Sequence, residues 1–380
     1  MKILYHHRIA SKDGQYVHVE ELTNALLEQG HELHFVAPQV NENAEFGGDG
    51  GFVSKLKQAL PHALYEVIEL AYSMWVFIKL AVAIIKLKPD VIYERYNLYQ
   101  PAGVLAAKLF NVPLILEINA PLVEERSRYS GLALKSFAQK IENFTWRGAN
   151  CCLPVTNVLA DYVRAAGVPD SKIEVIHNGV RQCFINEMLA QPINEEKEQI
   201  TIGFTGFIHP WHGMDKAIEA IAEHKELPLK LVCIGDGTIL PELKAQADKL
   251  GIADKVEFKG LVTRDKVLNF VKEFDIALQP DVTSYASPLK MFEYMAVGAL
   301  IIAPRTPNIK EILSDDTALF FEKGDKQAFK GALTEAITHY SEYMTKRTAV
   351  KQSVLEKHFV WQENSKRVVS LATALKGRAE

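Results

Sequence analysis

The chain has 380 residues, enough for two domains that each bury their own core. Its hydrophobic content of 48% and charged content of 24% are ordinary for a folded, water-soluble protein. The formal net charge of -4 excludes a broad basic footprint, so no nucleic acid is expected as a partner.

Residues 2–5 open the chain as a strand, and no secretory leader is expected before it. A loop over 6–16 carries Gly14, Gln15 and Tyr16. The spacing of Val19, Leu22, Ala25 and Leu26 predicts a helix over 17–29, ended by Gly30. Residues 32–37 form the second strand. This βαβ opening has no G-x-G-x-x-G fingerprint, so Gly14 is read as a point where a ligand or another backbone comes close. Residues 40–55, with Gly47, Gly48, Gly50 and Gly51, read as a flexible loop, either an acceptor-side lid or a plain connector.

Residues 64–87 are apolar, but Glu66, Glu69, Lys79 and Lys86 interrupt them. That argues against a helix crossing a bilayer. A core helix or a helix resting on a membrane surface remains. The strand from Asp90 to Tyr96 delivers Glu94 and Arg95, either acceptor-facing groups or an exposed pair. A helix follows over 101–110. The next strand carries Glu117 and Asn119 to the carboxyl edge of a sheet. Glu117, arriving after four apolar residues, reads as functional rather than as surface. His18 reads either as a functional group or as a helix-surface histidine. Helices over 133–147 and 157–167 flank a strand at 151–155. Such alternation implies a parallel, doubly wound sheet.

The polar stretch 187–199 is read as a linker between a first domain, 1–190, and a second, 197–358. The second half repeats the alternation. Its most informative stretch is 284–298, placed between the apolar runs 276–280 and 299–303. Ser287 is the expected N-cap, Pro288 the first helical residue and Gly298 the stop. Lys290 in the first turn has the wrong sign for the helix dipole unless an anion neutralises both; a plain surface lysine is the alternative. Glu293, one turn on, could accept hydrogen bonds from a diol such as a ribose. A last amphipathic helix within 360–380 is expected to pack back on the first domain. Cys151, Cys152, Cys183 and Cys233 lack metal-ligand spacing and read as the reduced thiols of a cytoplasmic protein.

In this order and spacing the residues resemble the group-1 (family 4) retaining glycosyltransferases of GT-B architecture. The markers are Gly14, Glu28-Gln29-Gly30-His31-Glu32, Asn178-Gly179-Val180, Phe204-Thr205-Gly206 with Trp211-His212-Gly213, Gly235-Asp236-Gly237, Glu293 to Gly298, and Phe359-Val360-Trp361. The resemblance spans nearly the whole chain. It implies an α/β fold of two Rossmann-like, doubly wound parallel-sheet domains facing a cleft. It also implies a nucleotide diphosphate sugar held mainly by the second domain, an acceptor held mainly by the first, and transfer with retention. By motif position, Glu293 would bind the ribose. Gly206, Ser287, Pro288, Leu289 and Lys290 would meet the diphosphate, with Gly14, His212, Gly235 and Tyr285 completing the donor set. The base is expected around 235–237 and 260–263.

Four positions depart from the family pattern. Tyr285 stands where a donor-sugar glutamate is common, with Asp281 nearby. Phe207 and His212 stand in place of a basic pair, and Asn119 in place of a histidine. No Asp-x-Asp pair is present, so metal-independent catalysis is expected, with no cofactor. Lys290, the helix start and His209 or His212 would stabilise the leaving group. Asn119 and Glu117 complete the candidate catalytic set; Gln15, Tyr16, His18 and Arg95 are candidate acceptor contacts. The expected acceptor is a glycan, a lipid-linked glycan or a small molecule, handled in the cytoplasm or at the inner face of the membrane with peripheral contact. A nucleotide-sugar 2-epimerase of the same fold and a non-catalytic nucleotide-sugar-binding scaffold are the competing readings.

Overall fold

The computed structural model describes residues 1–10, 14–38, 60–193 and 197–379. The glycine-rich stretch 40–55 and residues 194–196 of the expected linker lie outside them. The chain divides into two compact units. One comprises Met1–Asn178, Tyr285–Ser287 and Trp361–Glu380; the other comprises Gly179–Ser284 and Pro288–Val360.

The first unit is built on five parallel strands: β1 (Lys2–His6), β2 (Glu32–Val36), β3 (Val91–Arg95), β4 (Leu114–Ile118) and β5 (Cys151–Pro154). They lie in the order β2-β1-β3-β4-β5. The helices between them are α1 (Gly14–Glu28), α2 (His62–Leu87), α3 (Ala102–Phe110), α4 (Leu122–Tyr129), α5 (Lys135–Gly148) and α6 (Asn157–Ala165). Every residue of β4 is buried, as a strand covered on both faces requires. Leu4, Ile92, Leu116 and Trp146 anchor this core.

The second unit holds β6 (Ile200–Thr205), β7 (Leu229–Ile234), β8 (Val256–Gly260), β9 (Ile276–Leu278), β10 (Leu300–Pro304) and β11 (Ala318–Phe321). All are parallel, in the order β11-β10-β9-β6-β7-β8. Its helices are α7 (Gln182–Leu189), α8 (Met214–Glu223), α9 (Leu240–Leu250), α10 (Arg264–Val271), α11 (Leu289–Val297), α12 (Pro307–Ile312), α13 (Lys326–Thr338) and α14 (Met344–Glu356). The last helix, α15 (Trp361–Ala379), clusters with the first unit. It lies against α1, where the Gln29 side-chain amide donates to Ser365 Oγ at 2.6 Å.

Several sequence expectations are corrected. The first continuous segment of the first unit runs to Asn178, where the sequence placed the domain's end at 190. Helix α7, which buries Phe184, Ile185 and Met188, belongs to the second unit, and the expected linker begins inside it. Gly14, Gln15 and Tyr16 form the first turn of α1, not a loop. Helices α4 and α14 are additions. The buried positions of α14 include Arg347, Lys351 and Ser353, so its core face does not read as apolar. Arg347 is there for a charge: its Nη2 lies 3.3 Å from Oδ1 of the fully buried Asp275, and its Nε donates to the Gly298 carbonyl at 2.9 Å. Gly298 ends α11 at φ 72, as expected of a glycine stop. The N-cap of α11 is Pro288 rather than Ser287. Ser287 Oγ instead accepts the Asn178 amide at 3.3 Å, and the Ser287 carbonyl accepts Asn178 Nδ2 at 2.6 Å.

Candidate functional site

In the second sheet the strand order reverses between β6 and β9. Ligands of doubly wound sheets bind beyond the carboxyl ends of the strands at such a reversal. Gly206 follows β6 and Gly235 follows β7, at φ +122 and +126. A Cβ on Gly235 would stand 2.1 Å from the Gly206 carbonyl oxygen, so only glycine lets these loops lie backbone against backbone. The Gly206 amide donates to the Ile234 carbonyl at 2.8 Å and the Gly235 amide to the Gly260 carbonyl at 2.9 Å. The edge is therefore a fixed backbone surface without side chains.

Lys290 reaches this surface from the first turn of α11. Its Nζ donates to the Thr205 carbonyl at 2.9 Å and lies 4.3 Å from the centre of the Phe204 ring. It would stand 3.6 Å from a Cβ on Gly206. Burial lowers its pKa to about 7, with Glu293 pulling the other way. An ammonium has three donors, and the Thr205 carbonyl is the one hydrogen-bond partner of Nζ among the described residues. The amides of Leu289 and Lys290 have no helical carbonyl to bond. Both features favour an anion.

Glu293 is buried, and its Oε1 is already held by Arg264 Nη2. The sequence reading missed Arg264. The signal was available: a cation opens α10, just as Lys290 opens α11. Tyr294 OH accepts the Thr205 amide at 2.8 Å and so fixes the end of β6. His212 Nδ1 accepts the His209 amide at 3.2 Å. Burial, then the Lys290 charge, hold the His212 pKa down at about 3, so its ring is neutral with the proton on Nε2. His209 caps the short turn 210–212 and stacks on Trp211, ring centres 4.3 Å apart.

The carboxyl edge of the first sheet is arranged differently. Glu117 is 2% exposed. Tyr93 OH donates to its Oε2 at 2.8 Å; Arg95 Nη1 and Asn119 Nδ2 both donate to its Oε1. His18 Nδ1 lies 3.3 Å from the same oxygen but is not aligned to donate to it. Burial would raise the Glu117 pKa, yet these neighbours hold it below the usual carboxylate range. His18 itself is pushed down to about 4 by burial, so it is uncharged at neutral pH. Arg95 is therefore the cation that keeps Glu117 ionised. The cavity lined by His18, Glu117 and Trp361 measures about 10 Å³, room for one water at most. Nearby, His6 Nδ1 bonds Glu94 Oε2 at 3.1 Å, and Glu94 lies against Gly103, where a Cβ would collide with it.

The Glycosyltransferase Family 4 model matches residues 12–182, and the Glycosyl transferases group 1 model matches residues 199–339. The chain belongs to the group-1 glycosyltransferases. The α-monoglucosyldiacylglycerol synthase of Streptococcus pneumoniae is 33% identical over 115 residues, which is 30% of this chain and 25% of that protein. The D-inositol 3-phosphate glycosyltransferase of Acidothermus cellulolyticus is 25% identical over 269 residues, 64% of this chain and 58% of that one. These matches thus cover less than two thirds of the curated relatives' own lengths. The crystal structure of Anabaena HepE in complex with UDP superposes with a TM-score of 0.71 at 16% identity, over 98% of this chain and 100% of that one. The two parallel-sheet units are those of the GT-B fold.

Within this chain the candidates fall into groups. Gly206, Gly235, Lys290 and His212 meet at one sheet edge, where Pro288 and Leu289 start α11. Glu293 is one turn further, on Arg264. Asn119, Glu117, Arg95 and His18 form a second group, but as a sealed network. Arg95 and Glu94 are not an exposed pair: each is bonded elsewhere. Tyr285 is buried, donates its hydroxyl to Glu125 Oε2 at 2.5 Å, and clusters with the first unit, as does Ser287. Asp281 lies 3.7 Å from Lys323. Among the described residues no group of three His, Cys, Asp or Glu side chains is placed to hold a metal ion.

Proposed function

We propose that this protein transfers a sugar from a nucleotide diphosphate sugar to a glycan, lipid-linked or small-molecule hydroxyl acceptor, with retention and without a metal ion. The observation that carries the reading is Lys290, an ammonium short of partners at a helix start beside a glycine-lined sheet edge. When the bond from the anomeric carbon to the diphosphate oxygen breaks, negative charge gathers on the leaving group. Lys290 and the first amides of α11 are fixed donors for that charge, and such preorganised donors need no reorganisation during the reaction. An arriving diphosphate would also restore the full charge of Lys290. Glu293, held ready by Arg264, would accept from the ribose hydroxyls. His212, donor at Nε2 only, would add a neutral hydrogen bond.

Retention is read as attack by the acceptor hydroxyl on the face the diphosphate leaves, its proton passing to a phosphate oxygen of the leaving group. No side-chain nucleophile is then required. Glu117 and Asn119 act as positioning residues, since Glu117 is buried and both of its oxygens already accept from protein donors. The solved complexes of HepE contain UDP and UDP-glucose, which supports a uridine nucleotide as the first donor to try. We read the protein as cytoplasmic, in keeping with four cysteines that form no disulfide.

The test is incubation with UDP-, GDP-, ADP- and dTDP-sugars, following nucleotide release and product anomer. Acceptor-dependent release with a retained anomer is the expected result. Binding without release on any acceptor would make the protein a scaffold. A donor altered without any acceptor would make it an epimerase.

A further inference from the structure

Helix α2 carries two faces with opposite duties. One is buried in the first unit through Ser73, Val76, Leu80 and Ile84. That face also holds Glu66, whose carboxylate accepts Tyr99 OH at 2.6 Å and the Leu134 amide at 2.9 Å. The sequence left open a core helix or a surface helix, and α2 is both at once. It cannot cross a bilayer while this face is packed on protein.

The other face is exposed and apolar. Leu64, Ile68, Trp75, Ile78, Val82 and Ile85 are between 38% and 62% exposed. Their spacing of three, four and seven residues makes one strip along the helix. At 1.5 Å per residue it runs about 30 Å along the surface. The charged residues exposed within the helix are Lys79 and Lys86, and Lys88 follows its end. Its two acids are removed from this face: Glu66 is buried and Glu69 is paired with Arg126 at 2.8 Å. Lys79 Nζ sits 5.4 Å from the centre of the Trp75 ring, and the Arg8 guanidinium 5.0 Å from that of Tyr72. On α3, which packs beside α2, Leu105 and Leu109 are exposed with Lys108 between them.

We propose that this face docks the protein on a bilayer surface bearing anionic lipid, with α2 lying flat in the interface. An apolar strip flanked by lysines, with aromatic rings at its margin, is the pattern of an interfacial helix. A second copy of the chain fits less well. Two symmetric copies would bring the same lysines together, and this helix face has no acid to pair with them. Anionic headgroups supply that missing charge. The proposal does not depend on the donor assignment, because none of these residues belongs to the glycine-lined edge.

The experiment is flotation of the full chain with phosphatidylcholine vesicles, with and without one-third phosphatidylglycerol. The protein should float with the anionic vesicles and largely stay behind with the neutral ones. Ile78→Glu with Ile85→Glu should abolish flotation. Each of Lys79→Ala and Lys86→Ala should weaken it about fivefold, as the loss of one surface lysine predicts. All these sites are exposed, and unchanged thermal melting checks that the variants fold. Unchanged flotation in the double glutamate variant would overturn the proposal. So would no flotation of the parent protein. A dimer in sedimentation velocity that this variant dissociates, without lipid binding, would assign the face to a second copy. Nucleotide binding measured in parallel separates failure here from failure of the proposed donor site.

Discussion

The carboxyl edges of the two sheets, both parallel and doubly wound, solve different problems. At the first, a carboxylate is taken out of water and surrounded. Glu117 has donors from Tyr93, Arg95 and Asn119, with His18 and Trp361 closing the space behind it. At the second, side chains are removed instead. Gly206 and Gly235 leave bare backbone, and one cation stands over it with donors unused. A buried carboxylate with both oxygens bonded gives rigidity and offers little to a ligand. An under-bonded ammonium is costly alone and becomes favourable when an anion arrives. The contrast explains why two sets of charged residues, equally conspicuous in the sequence, are assigned different roles.

The largest effect that would break this contrast lies at the first edge. Glu117→Ala should destabilise the fold by about 3–5 kcal/mol, because it strands the Arg95 charge. Urea unfolding measures it; a loss of activity at unchanged stability would mean that Glu117 faces a ligand after all. Lys290→Ala should do the reverse: it removes a buried charge that costs stability, so the fold should be as stable or more stable, while transfer falls roughly 10²–10³-fold. Nucleotide diphosphate affinity should fall with it in calorimetry. Gly235→Ala adds a side chain at positive φ against the Gly206 carbonyl, a strain on the order of 1–3 kcal/mol. It should lower the melting temperature and nucleotide affinity together.

A pH titration sharpens the comparison further. Burial holds the pKa of free Lys290 at about 7, and a diphosphate bound there would raise it. The charged form is the one that binds. Its contribution is therefore complete below pH 7 and lost as pH rises through the pKa of the complex. Affinity should decline above pH 7 with proton uptake on binding, and Lys290→Ala should flatten that slope. In the free protein the sign for stability is opposite. The folded pKa lies below the unfolded 10.5, so the unfolded chain holds more protons between the two values and stability rises with pH across that window. The smallest effect on nucleotide affinity is expected of Arg264→Ala, a few-fold change from a Glu293 no longer held in place, although stability should also fall because that carboxylate is buried.

How much of this the sequence contained depends on the range of the interaction. Apolar runs, glycine stops and strand–helix alternation are local, and they made two parallel α/β sheets readable along most of the chain. The α11 start and Lys290 within it were legible for the same reason: a cation in a first helical turn is anomalous on its face. The occupants of the other charges were not legible. Arg264 is far along the chain from Glu293, and Ser287 was taken from its expected cap by Asn178, more than a hundred residues away. Helix α14 hid because its buried face is built from Arg347 and Lys351, whose burial makes sense only once Asp275 and the Gln191 carbonyl are in place.

The amino acids by themselves determined the fold class, the family, and the cation that stands at the glycine-lined sheet edge, because period, glycine placement and dipole sign act over a few residues. Only the tertiary structure decided which charged groups are spent on one another and which remain for a ligand. It also decided that one face of α2 is left in the open. Pairing and burial are set by strands and helices brought together from distant parts of the chain, and no local pattern encodes them.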